Sequence, residues 1–135
     1  LGIPLNTDST LKGQTVFLAE RCGELMYDNI ITDRTILDVM AFTMNAKSIP
    51  YQDKESFEQY ASEFVREYDY IFYISPHGLE IEDNGVRETD EHYRDLIDFT
   101  ITTLIKRHGH KAGTIEKISG STEERIQQIL NITTL

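Results

Sequence analysis

The chain has 135 residues, 39% of them apolar and 27% charged, which is the composition of one globular domain with a single core. Its net charge of −10 argues against gripping nucleic acid or anionic lipid by bulk electrostatics, though a local basic site stays open. One cysteine, Cys22, excludes an intrachain disulfide and a cysteine-rich zinc site, and no apolar run is long enough to span a bilayer.

The opening "LGIPLN" has no initiating methionine and suggests that sequence precedes it. Residues 11–26 carry Leu18, Cys22, Leu25 and Met26 at spacings of three and four, which predicts a helix with one buried face. Ser9 or Thr10 is its cap. "NIIT", residues 29–32, reads as a short strand. From Thr35 a second helix is expected, with Ile36, Leu37, Val39, Met40 and Met44 on one face, ending near Lys47 before Pro50. Asp53 would cap a third helix carrying Phe57, Tyr60, Ala61 and Phe64.

"YDYIFYIS", residues 68–75, is β-branched and aromatic and reads as a strand buried on both faces. Residues 76–90, with Pro76, Gly78 and Asn84-Gly85, read as an irregular, lid-like stretch. A helix over about 90–108 follows, closed by Gly109. "AGTIEKIS" predicts a last strand. "GSTEERIQQIL" predicts a last helix with Ser121 or Thr122 as cap and Glu124 near the capping-box position. Strands alternating with helices imply parallel pairing, hence an α/β protein, and three strands are few for such a sheet.

Two stretches could carry chemistry. If "NIIT" is a parallel strand, Asp33 sits at its carboxyl end, where open α/β sheets bind ligands. A carboxylate there can hold Mg²⁺ or accept a hydroxyl proton, Arg34 can fork onto phosphate oxygens, and Asp38 can extend the acidic group. The alternative is that Asp33 only caps the helix at Thr35. Arg87 and Arg94 are seven apart and would share a helix face; with Lys106 and Arg107 they form the second basic stretch. A solvated, salt-bridged face explains them as well as a phosphate-covering lid does. His108 and His110 lack helical ligand spacing, and His77 and His92 are isolated. Tyr68, Tyr70 and Tyr73 read as sheet packing. No phosphate-loop pattern, GxxxxGK followed by Ser or Thr, occurs in the chain.

The ordered set "LGIPLN", "KGQTVFLAER", "IITDRTILDVMAFT", "YDYIFYISPHG", "NGVRETDEHYRDLID" and "SGSTEERIQQIL" resembles the C-terminal two-thirds of a P-loop kinase-like domain. The nearest likeness is to the AAA-type ATPase/kinase family typified by the nicotinamide riboside kinase domain. The chain is more distantly similar to deoxynucleoside and thymidylate kinases. The resemblance implies a three-layer, P-loop NTPase-like parallel sheet with helices on both faces. The family's first strand and phosphate loop would lie upstream of Leu1, and residues 77–95 would form a lid.

It further implies ATP and Mg²⁺ as cofactors and phosphoryl transfer to a nucleoside, nucleotide or related metabolite. An ATPase or nucleotide-sensing module of a larger assembly is the alternative. Asp33 would be the magnesium-associated or catalytic carboxylate, and Arg34 would contact substrate or phosphate. Gln14 would face the substrate base. Arg87 and Arg94 would reach the transferring phosphoryl group, and Gly120, Ser121 and Thr122 would run near the adenine. A cytoplasmic location is expected, without membrane or nucleic-acid partners; a homo-oligomer or larger assembly stays open.

Overall fold

The computed structural model describes residues 2–76 and 91–134. The fold is mixed α/β, with five α-helices and two strands among the described residues: α1 (Leu11–Glu24), α2 (Ile36–Met44), α3 (Tyr51–Ser62), β1 (Tyr70–Ile74), α4 (Glu91–His108), β2 (Thr114–Ile118) and α5 (Thr122–Thr133). Short 3-10 turns occupy Asn6–Asp8, Glu63–Glu67 and Gly109–Lys111.

Local chemistry sets most boundaries. Thr10 caps α1 by accepting the Gly13 N–H at 3.0 Å. α2 and α5 each start with a capping box, Thr35 with Asp38 and Ser121 with Glu124, which satisfies two orphan donors apiece. Gly120 stands at φ +100, a conformation that favours glycine, immediately before the Ser121 cap. Asp53 does not cap α3. Pro50 holds the cap position, so the helix begins three residues earlier than a cap at Asp53 would allow, and Asp53 lies in its first turn.

β1 and β2 pair in parallel, Ile71 opposite Ile115 and Ile74 opposite Ile118, with α4 as the crossover between them. A close approach fixes the start of β2: a Cβ on Gly113 would lie 2.5 Å from the Asp69 carbonyl oxygen, and the Gly113 N–H donates to the Tyr68 carbonyl at 3.0 Å. The two expectations that placed more strand here are corrected. Residues 29–32 form no strand: Asn29 and Arg34, at φ +56 and +71, break extended geometry around them, and Ile31 is 93% exposed. β1 is not buried on both faces: Ile71 is buried, but Tyr70 and Ile74 on the opposite face are exposed, and among the described residues β1 pairs only with β2.

The core sits between α2 and its neighbours rather than on a broad sheet. Ile36, Leu37, Val39, Met40 and Ala41 of α2 meet Leu18 of α1, Phe57 and Ala61 of α3, Ile71 of β1 and Ile97 and Leu104 of α4. No helix among the described residues is long and apolar enough to cross a membrane.

A charged clasp ties α3 to the end of α4. Arg107 Nη1 donates to both Glu58 oxygens at 2.8 and 2.7 Å, and His108 Nε2 lies 2.8 Å from Glu58 Oε2. Burial pushes the Glu58 carboxyl up, but the hydrogen bonds and charges of Arg107 and His108 outweigh it and hold the group below its ordinary value of 4.5. A depressed carboxylate stabilises the fold above about pH 4.5, and that contribution is lost as pH falls through the folded-state value. Glu58→Gln is therefore expected to cost about 1.5–3 kcal/mol at neutral pH, the worth of a charge-assisted hydrogen bond. The cost should shrink below pH 4.5, as measured by urea unfolding at several pH values. A constant difference down to pH 3 would contradict the clasp.

Candidate functional site

Two adjoining hollows lie beside the start of α2. The inner one, a cleft of about 360 Å³ between α1 and α2, is lined by Gln14, Phe17, Glu20 and Arg21 of α1, Arg34 of the connecting loop, and Asp38, Val39 and Phe42 of α2. The outer groove, about 570 Å³, is lined by Arg21, Glu24, Tyr27 and residues 30–34. Arg21 and Arg34 line both.

Gln14 is buried and its amide is oriented by a chain of hydrogen bonds. The Thr43 hydroxyl donates to the Val39 carbonyl at 2.8 Å, so its lone pairs face Gln14 and take a hydrogen from Nε2 at 3.0 Å. Nε2 also reaches the Val39 carbonyl at 3.4 Å. With the nitrogen so committed, Oε1 is the atom of this amide left for a ligand.

Arg34 sits at φ +71, where a residue with a Cβ costs about 1–3 kcal/mol. The loop is fastened on both sides of it. The Thr32 hydroxyl donates to the Arg34 carbonyl at 3.1 Å, and Arg21 Nη1 donates to the Asp33 carbonyl at 3.1 Å. The Arg34 guanidinium lies 5.8 Å from the centroid of Phe42, a cation–π contact worth about 0.5–1 kcal/mol at an exposed site. Phe42 in turn packs on Tyr93 of α4, centroids 6.4 Å apart.

Asp38 faces the same cleft with one oxygen already engaged: Oδ2 accepts the Thr35 N–H at 2.7 Å. Burial pushes its carboxyl above the ordinary value, against the Thr35 hydrogen bond and the Arg34 charge that lower it. Beneath the loop, the Tyr68 hydroxyl accepts the Ile36 N–H at 3.2 Å. Its own pKa is pushed up to about 12, first by burial and further by the charges of Glu24 and Asp38. Tyr68 therefore serves as a neutral hydrogen-bonding group at any physiological pH.

The residues anticipated from sequence distribute unevenly. Gln14 and Arg34, twenty residues apart, line one cleft. Asp33 lies next to Arg34 but is exposed, in the outer groove. It does not stand at the end of a strand, since no strand precedes it among the described residues, and it does not cap α2, since Thr35 does. Arg94 sits in the first turns of α4 and lines neither hollow, and its Nε is buried without a hydrogen-bond partner among the described residues. Gly120, Ser121 and Thr122 follow β2, where the Ser121 hydroxyl is spent on the Glu124 N–H, and they line neither hollow. Arg87 and the rest of the lid-like stretch over 77–90 lie outside the described residues.

Sequence reasoning missed Arg21, Phe17, Phe42 and Tyr68 as parts of the site. Arg21 and Phe17 share a helix with Gln14 at spacings of seven and three, which was a usable signal. Tyr68 offered none, because its partner Ile36 is 32 residues away.

The group that the resemblance implies can be tested against these residues. No three His, Cys, Asp or Glu side chains among the described residues converge on a point that could hold a metal ion. Mg²⁺ bound mainly through phosphates and water needs only one or two carboxylates, and exposed Asp33 beside Arg34 fits that role. The inner cleft, with two aromatic walls, an oriented amide and a guanidinium at its mouth, fits a small flat polar molecule carrying or receiving an anionic group.

A family model described as an AAA domain matches residues 13–125, a span that includes every candidate residue named above. No curated protein and no solved structure matches the chain.

Proposed function

The chain belongs to the AAA-domain family, a group of P-loop nucleotide-binding domains, and from that premise we propose that it takes part in ATP- and Mg²⁺-dependent phosphoryl transfer to a small metabolite. The acceptor is a nucleoside, nucleotide or related compound, in keeping with the resemblance to nicotinamide riboside and deoxynucleoside kinases. One observation carries this beyond the family: Gln14 and Arg34, from separate segments, line a single cleft with Phe17 and Phe42.

When bound, ATP with Mg²⁺ supplies the transferable phosphoryl group, and the protein's part is positioning and charge neutralisation. The phosphate-loop pattern that cradles it is not among these 135 residues, and the roles proposed here concern the acceptor and the metal. Phe17 and Phe42 exclude water and hold a flat ring. Gln14 Oε1 accepts a hydrogen bond from the ring's edge. Arg34, braced on Phe42, neutralises negative charge at the mouth of the cleft. Asp33 would hold Mg²⁺ or take the proton of an acceptor hydroxyl, and Arg94 would add positive charge from α4.

The test is an assay, with γ-labelled ATP, Mg²⁺ and a panel of nucleosides and nucleotides, of the protein with the phosphate loop that the resemblance implies upstream of Leu1. Acceptor-dependent transfer of label supports the proposal. Release of inorganic phosphate regardless of acceptor marks an ATPase instead. Within that assay Gln14→Leu should raise the acceptor KM about 2–10-fold with kcat nearly kept, the worth of one neutral hydrogen bond. A fall in kcat alone would remove Gln14 from acceptor binding.

A further inference from the structure

We propose that Arg21 is a positioning residue, which holds Arg34 in its left-handed conformation and thereby keeps the Arg34 guanidinium at the cleft. Nothing in the motif around Asp33-Arg34 names it: Arg21 lies twelve residues upstream of Asp33, in the last turn of α1. Its consequence for catalysis rests on the function proposed above; its geometry does not.

Arg21 is itself held at two points. Nη2 pairs with Glu24 Oε1 at 2.9 Å, and Nη1 donates to the Asp33 carbonyl at 3.1 Å. The second bond fixes the peptide plane between Asp33 and Arg34 relative to α1. On the far side of Arg34, the Thr32 hydroxyl holds its carbonyl, and the α2 start is pinned by the Thr35–Asp38 capping box and by Tyr68. The φ of Arg34 is the rotation that joins these two fixed parts. With Arg21 removed, the 33–34 peptide is free to turn, and Arg34 relaxes to the negative φ that a side chain prefers. Its guanidinium then leaves the Phe42 ring, and both hollows lose a wall, because Arg21 and Arg34 line each of them.

The test reads Arg34 directly by nuclear magnetic resonance. Arg21→Met alone would strand Glu24, whose Oε2 is buried without a hydrogen-bond partner among the described residues. The variant is therefore made with Glu24→Gln, and Glu24→Gln alone is the control. The α- and β-carbon shifts of Arg34 should be left-handed in the control and ordinary in the double variant. The nuclear Overhauser effect between the Arg34 side chain and the Phe42 ring should be present in the control and vanish in the double variant. Arg21→Lys, which keeps one donor for the Asp33 carbonyl, should retain the left-handed signature. Arg34 remaining left-handed in the double variant overturns the proposal. Should the double variant fail to fold, the Arg34→Gly background decides. Glycine tolerates either sign of φ, so folding restored there supports the role, and failure there as well overturns it. The readout needs neither ligand nor turnover, so an absence of phosphoryl transfer would defeat the kinase proposal while leaving the role of Arg21 standing or falling on its own.

Discussion

In the full-length protein, with the phosphate loop that the resemblance implies, Asp33→Asn is expected to leave the fold intact and to lower phosphoryl transfer by about 10²–10⁴, or roughly 3–5 kcal/mol of barrier. The substitution keeps size and polarity and removes the charge and the proton-accepting ability. Its structural cost should be small. The helix that follows is capped by Thr35 with Asp38, the Asp33 side chain is exposed, and the bond that Arg21 makes is to the Asp33 backbone carbonyl, which Asn retains. Thermal unfolding and the kinase assay on the same preparation check both halves. Transfer near wild type with an unchanged melting temperature would strip Asp33 of any chemical role. The carboxylate to examine next would then be Asp38, which shares the inner cleft with Gln14 and Arg34.

Where a signal is local, the sequence carries it. The Ser121–Glu124 capping box and the Thr10 cap are decided by neighbours within one turn, and both are readable. The parallel pairing of residues 70–74 with 114–118 is also readable, because the helix between them forces a crossover. "NIIT" misleads because two isoleucines are as apolar in a loop as in a strand. A strand also needs a partner, and none of the described strands lies beside it. The consequence reaches the site. Analogy with a strand end places Asp33 wrongly, since it lies on a loop whose shape comes from a left-handed Arg34 and from Arg21. The aromatic walls are hidden for another reason: Phe17 and Phe42 look like ordinary core residues in a helical pattern, and only packing shows that each borders a hollow.

The same distinction governs α4, where apolar residues of one sequence pattern have unequal worth. Leu104→Ala is expected to cost about 2–5 kcal/mol, a large share of the roughly 5–15 kcal/mol that a domain commonly has. Leu104 is 0% exposed and sits in the cluster with Leu37, Met40, Ala61 and Val65, where deleting the side chain leaves a cavity that neighbours on α2, α3 and a 3-10 turn must collapse to fill. Leu96, eight residues earlier on the same helix, is 43% exposed, and Leu96→Ala should cost less than about 1 kcal/mol. Phe99, 70% exposed, should behave likewise despite its size. Urea denaturation of the three variants under identical conditions checks the order. The loss at Leu104 should lower the midpoint without changing the slope, since the native fold is kept and only its stability falls. A loss at Leu96 as large as that at Leu104 would mean that α4 is packed on the opposite side, and the contact of Tyr93 with Phe42 would be misplaced with it.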